Sequence, residues 1–151
     1  MFELVPATEA HAREIATNLS PQSWIDSAVL ELDPLALALA GVQKSVYAFA
    51  GLDNGRCFCM FGIVPDSLTA TSGQPWLLTS ADLPKDRAAM ARASRQYLPY
   101  VRNRFTHLYG FVYEHNAVSI KWLKWLGYTL APEPEIVGAG KRYYAFEWRS
   151  S

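Results

Sequence analysis

The residues best suited to chemistry gather late in the chain, in Tyr113-Glu114-His115-Asn116 and, one helix-length further on, Leu126-Gly127-Tyr128. A carboxylate such as Glu114 can take a proton from an amine. A phenol such as Tyr113 or Tyr128, with an ordinary pKa near 10, stays protonated at neutral pH and can give a proton up. Each also has a plainer reading, Glu114 as a surface acid and the tyrosines as packing aromatics with a hydroxyl at the rim. Glu31 is a second acid open to both readings. Asn116, with Ser119 three residues on, is a good helix N-cap, because its side-chain oxygen can accept from a free amide of the first turn.

Metal and thiol chemistry are not expected. Cys57 and Cys59 are the only cysteines, two apart on a predicted strand. That spacing puts them on one face, roughly 6.5–7 Å apart and awkward for a mutual disulfide, so they read as buried thiols. His11, His107 and His115 give no zinc-type spacing with them.

The elements that must position these groups alternate between strand and helix. Phe2 to Pro6 reads as a strand and Thr8 to Leu19 as a helix. Ser20-Pro21 and Asp33-Pro34 each pair a cap with a proline, opening one helix around Trp24 to Val29 and another that stops near Gly41. Ser45–Leu52 and Cys57–Val64 are apolar runs joined by Asp53-Asn54-Gly55-Arg56, a strong hairpin signal. Both faces of these strands are apolar, so the sheet should be covered on both sides. After a polar loop, Pro65 to Gln74, a strand is predicted over 75–80. A long helix follows over 82–103, broken near Pro99, and then a strand over 105–113. The Asn116 helix carries Ala117, Ile120, Leu123 and Leu126 as a core stripe and stops at Gly127, placed to take a positive φ. Thr129 to Val137 is a loop or weak strand, and 142–148 closes the chain.

Composition narrows the classes. The 151 residues suit a single domain over 1–151, half of them apolar, and acidic and basic residues balance at fourteen each. That balance argues against a nucleic-acid binder working through bulk charge, and Arg92, Arg95, Arg102 and Arg104 read mainly as solvated surface. No apolar run approaches the roughly 18–20 residues of a membrane span, and no secretion signal opens the chain. Action in the cytosol, or packaging from it, is expected.

Val112, Asn116 and Leu126-Gly127-Tyr128, with Gly62 in the third strand and this element order, resemble the GNAT N-acetyltransferases across nearly the whole chain. More narrowly, Gln74-Pro75-Trp76-Leu77-Leu78-Thr79 with the later segment is similar to GNAT-like proteins of tailed phages, some of them internal virion proteins. The resemblance implies an α/β (α+β) fold. Its sheet is mixed, mostly antiparallel and strongly twisted, with helices on both faces and a cleft where the fourth and fifth strands splay.

For function the resemblance implies transfer of an acetyl group from acetyl-CoA to an amine of a small molecule or protein. Amides of the Trp76–Ser80 strand would stabilise the oxyanion, and Leu78, Thr79, Ser80, Asn116 and Ser119 would contact the cofactor. Lys85 and Arg87 would reach its phosphates, or form a solvated helix face. Tyr113 or Tyr128, or else bulk water, would supply the proton, and Glu114, or else Glu31, would be the base. The chain departs from the pattern twice. Ser80 to Arg87 has no glycine and carries Asp82 and Asp86, so acetyl-CoA binding is expected to be weak or absent. Leu123 stands where such enzymes often place a proton-donating tyrosine. The other outcome is a phage protein that keeps the scaffold without the chemistry, as a virion component or a binder of a phage or host protein, in the host cytoplasm or the virion.

Overall fold

A computed structural model describes residues 2–21, 23, 32–81, 91–92, 94–137 and 140–150. Among them the chain runs β1 (Phe2–Pro6), α1 (Glu9–Ala16), α2 (Pro34–Lys44), β2 (Tyr47–Asp53), β3 (Arg56–Pro65), β4 (Ser72–Thr79) and α3 (Leu98–Arg104). It continues with β5 (His107–Tyr113), α4 (Ala117–Trp125), β6 (Thr129–Leu130), β7 (Glu135–Ile136) and β8 (Arg142–Arg149). The helix expected around Trp24 to Val29, and the part of the long helix over 82–90, lie outside the described residues.

The eight strands form one sheet in the order β1-β2-β3-β4-β5-β8-β6, with β7 also on β8. All pairings are antiparallel except β4 with β5. Each face carries its own core. Ala12, Ile15, Ala38, Met60 and Leu78 pack under α1 and α2, while Phe61, Phe105, Leu108, Val112, Trp122 and Phe146 pack on the opposite face with α3 and α4. This is the expected fold, a mostly antiparallel mixed sheet with helices on both sides. The β2–β3 turn has Asn54 and Gly55 at φ 51° and 82°, the left-handed pair such a hairpin needs.

Several local expectations are corrected. The α2 helix continues past Gly41 to Lys44, and a Cβ at Gly41 would lie 2.7 Å from the Trp76 ring. The glycine is there for close packing and does not end the helix. The β4 strand begins at Ser72, three residues before Pro75. Cys57 and Cys59 do not share a face: a bulge leaves Phe58 without a partner between the Leu52–Cys57 and Gly51–Cys59 pairs. Cys57 joins the core under α1, and Cys59 joins the other. On α4 the buried stripe is Ser119, Trp122 and Leu123, continued by Leu126, while Ala117 is exposed. Trp122 sets that rotation by donating from Nε1 to Ser94 Oγ at 3.1 Å and meeting Phe61 edge-on. The helical run after 91 breaks at Gln96-Tyr97, and α3 carries Pro99 in its first turn.

Arg92 and Arg95 are exposed as expected, but Arg102 and Arg104 do more than cover surface. Arg102 donates to the Leu126 carbonyl at 2.8 Å, and Arg104 donates to the carbonyls of Leu68 and Ala70, tying loops to α3.

Candidate functional site

The site begins with a missing hydrogen bond. Parallel pairing of β4 with β5 covers only Ser72–His107 and Gly73–Leu108. Ser80 N–H donates to Phe58 O at 2.8 Å, so in an alternating antiparallel ladder Leu78, Trp76 and Gln74 also turn their N–H groups toward β3. Gly73, Pro75, Leu77 and Thr79 turn theirs toward β5. The first such position after Gly73 is proline, which has no N–H to give. The ladder ends there and the strands part.

A cleft of about 510 Å³ opens between them. It passes through the plane of the sheet, because both layers wall it. Leu37, Ala40, Gly41 and Lys44 come from α2, and Asn116, Ser119, Trp122 and Leu123 from α4. Strand alternation divides the rest. Trp76, Phe111 and Tyr143 belong to the α2 face, and Leu77, Gly110, Val112 and Phe146 to the α4 face. Trp76 lines the cleft without filling it, held over Gly41 by donation from Nε1 to Ser45 Oγ at 2.7 Å.

The sequence-based candidates separate clearly. Asn116, Ser119 and Leu78 line the cleft, as does Leu123. Asn116 is buried, and its Oδ1 accepts from Ser119 N–H at 3.1 Å, so the cap reading holds and the side chain also faces the cleft. Thr79 and Ser80 are buried away from it, and Lys85 and Arg87 lie outside the described residues, as does Glu31. Glu114 is held by Arg142, with Nη2 at 3.1 Å from Oε2 and His115 alongside, and does not reach the cleft. Tyr113 meets His115 edge-on and Tyr143 at a tilt, outside the lining. Tyr128 packs edge-on against Phe146, and burial pushes its phenol well up, Arg102 opposing. It too is absent from the cleft.

Sequence reasoning missed Tyr143, Lys44 and Phe111, and it placed Leu77 only as one of the Trp76–Ser80 amides. Tyr143 is the buried phenol that does line the cleft. It comes from β8, which pairs with β5 although a helix and two short strands separate them in the chain.

The β4 amides are mostly spoken for. Residues 18–20 run antiparallel to the end of β4, with a bridge between Leu19 and Ser80. Ser20 N–H donates to Thr79 O at 2.9 Å and Ala81 N–H to Asn18 O at 2.9 Å. Thr79 N–H donates to Ser23 Oγ at 3.2 Å, inside a buried Ser20–Ser23–Thr79 hydroxyl cluster. Of the amides from Trp76 to Ser80, the one the ladder turns to the open gap is that of Leu77. No group of three or more His, Cys, Asp or Glu that could hold a metal ion occurs among the described residues. None of the described helices is long and apolar enough to cross a membrane.

Solved structures place this architecture. The ribosomal-protein-alanine N-acetyltransferase of Brucella melitensis superposes with a TM-score of 0.69 at 11% identity, over 98% of this chain and 99% of that one. The yncA protein of Salmonella typhimurium, solved with its cofactor acetyl-CoA, gives 0.68 at 14%, over 99% and 94%. An acetyltransferase of the GNAT family from Streptococcus pneumoniae gives 0.63 at 9%, over 99% and 100%. The fold is that of the GNAT N-acetyltransferases. No protein-family model and no curated protein matches the sequence, so the likeness rests on the fold.

Proposed function

We propose that this chain is an acyl-CoA-dependent N-acyltransferase with a weak hold on the CoA end of its donor. The observation that carries the reading is the through-sheet cleft at the β4–β5 splay, with the Leu77 N–H turned into it. Its volume is in the range of small-molecule sites, which run to roughly 300–1,000 Å³, and its walls are mainly apolar. The residues present suit an acyl-pantetheine arm. The segment expected to meet the phosphates, 82–87, lies outside the described residues.

Acetyl-CoA would supply an acyl group already activated as a thioester. The chain's own part is positional and electrostatic. Leu77 N–H is the donor aimed where an oxyanion would form. Val112, Trp122, Leu123 and Phe146 keep water from the α4 side. Tyr143 holds a proton at its hydroxyl on the cleft wall, a role we assign to it in place of Tyr113 and Tyr128. Asn116 and Ser119 would line the arm's path, while Leu78 contributes its side chain only. The acceptor is an amine of a small molecule or protein, and the setting is the cytoplasm.

Calorimetric titration with acetyl-CoA, followed by CoA release on adding amines, tests this. Saturable binding with amine-dependent release supports it, and neither one occurring overturns it.

A second reading is a non-catalytic scaffold of the phage type, a virion component or a binder of a phage or host protein. What favours it is the occupation of the Thr79 and Ala81 amides by the chain itself and the leucine at 123. A folded protein that captures no acetyl-CoA at millimolar concentration would decide for it.

A further inference from the structure

The two faces of the cleft differ in chemistry, and the α2 side describes what the second substrate should be. Its wall is apolar and partly uncovered. Phe111 is 50% exposed and Leu32 39%, and both line the cleft along with Leu37 and Val137. Apolar side chains at the rim of a cavity suit a ligand that carries an apolar side chain of its own. At the last turn of α2 stands Lys44, which carries the one side-chain charge lining the cleft among the described residues.

Resting on the transferase reading, the geometry points to an apolar α-amino acid as acceptor. Its hydrocarbon or aromatic side chain would lie against Phe111 and Leu37, its carboxylate would pair with the Lys44 ammonium, and its amine would point toward Leu77 and Tyr143. A lysine at the rim of an otherwise apolar site favours a ligand with one negative charge and disfavours a polycation, which would bring like charges together. In the transfer the acceptor nitrogen bonds the acyl carbon as the C–S bond breaks. The amine attacks in its neutral form, its ammonium proton having gone to solvent water; the nitrogen then gives up a second proton, and the departing sulfur takes one.

The test compares pairs that differ only in the carboxylate: L-phenylalanine with 2-phenylethylamine, and L-leucine with 3-methylbutylamine. Spermidine serves as the polycation. Equilibrium binding is followed by ligand-observed NMR on the intact chain, and CoA release is followed in parallel. The amino acid of each pair should bind at least about tenfold more tightly, a charge-assisted contact being worth that much. Lys44→Met should bring each pair to parity, and Lys44→Arg should keep the preference.

Equal affinity within the pairs in the native chain, a preference that survives Lys44→Met, or tighter binding of spermidine would overturn the proposal. The transferase reading fails separately. If no amine releases CoA while the amino acids still bind in a Lys44-dependent way, the acceptor pocket stands and the catalysis does not.

Discussion

Tyr143 and Tyr128 are both buried phenols, and the face of the sheet each one meets separates their roles. Tyr143 reaches the cleft, while Tyr128 is sealed behind α4 against Phe146. With acetyl-CoA and amine saturating, Tyr143→Phe should lower kcat by at least about tenfold, general acids being worth roughly 10²–10⁴. Tyr128→Phe should leave kcat within about twofold on the same reasoning. Unchanged kcat in both variants would remove tyrosine from the chemistry. The thiols give a different prediction. Burial, with Glu14 nearby, pushes Cys57 up to about 12, and burial raises Cys59 as well. Neither should react with a thiol reagent at about pH 8 in the native protein, where the nucleophilic thiolate is not formed. The stability consequence follows from proton counting. Above an ordinary thiol pKa of about 8.5 the unfolded chain releases protons that the folded chain retains, so stability falls as pH rises. The contribution is whole below that value and lost on the way to about 12 for Cys57. Melting temperatures between about pH 8 and 10.5 should therefore decline, and less steeply in Cys57→Ala. A flat profile would count against a buried Cys57 thiol.

At the scale of elements, α4 shows what could be read from sequence and what could not. Its ends are local chemistry. Asn116 caps the start, and Gly127 at φ 97° closes the end as Tyr128 N–H donates to Leu123 O and Gly127 N–H to Lys124 O, the bonding of a Schellman stop. Gly127→Ala should cost on the order of 1 kcal/mol or more in chemical denaturation, because a Cβ is strained at that φ. Asn116→Ala should cost about 1 kcal/mol, whereas Asn116→Ser keeps the cap. If Asn116→Ser keeps the melting temperature but raises KM for acetyl-CoA, the side chain touches the donor as well. The face of α4 was not legible, since Ala117 and Ser119 exchange places according to where Trp122 finds Ser94. The hairpin was legible because Asn54-Gly55 carries its own geometry. The start of β4 was not: Pro75 looks like a strand opening, and only the pairing reveals that its absent N–H faces a gap. Tyr143 lay beyond reach for a similar reason, since its place in the cleft depends on β8 inserting beside β5.

For the molecule as a whole, the amide accounting at the end of β4 predicts modest donor affinity. Ser23 and Asn18 already hold the Thr79 and Ala81 amides, and the segment beyond carries two aspartates and no glycine. Calorimetry should give a Kd for acetyl-CoA weaker than about 10 µM; a value in the low micromolar range, about −8 kcal/mol, would show that other contacts supply the grip. The cleft that pierces the sheet also bears on kinetics. In the proposed transferase, with α2 walling one side of the cleft and α4 the other, donor and acceptor would approach from opposite directions and neither would stand in the other's doorway. Order of addition should then be random. Double-reciprocal rate lines should intersect, CoA should compete with acetyl-CoA alone, and the N-acylated product with the amine alone. Parallel lines would require the acyl group to rest on the protein between two half-reactions, and the cleft would then be working as a single-entry chamber.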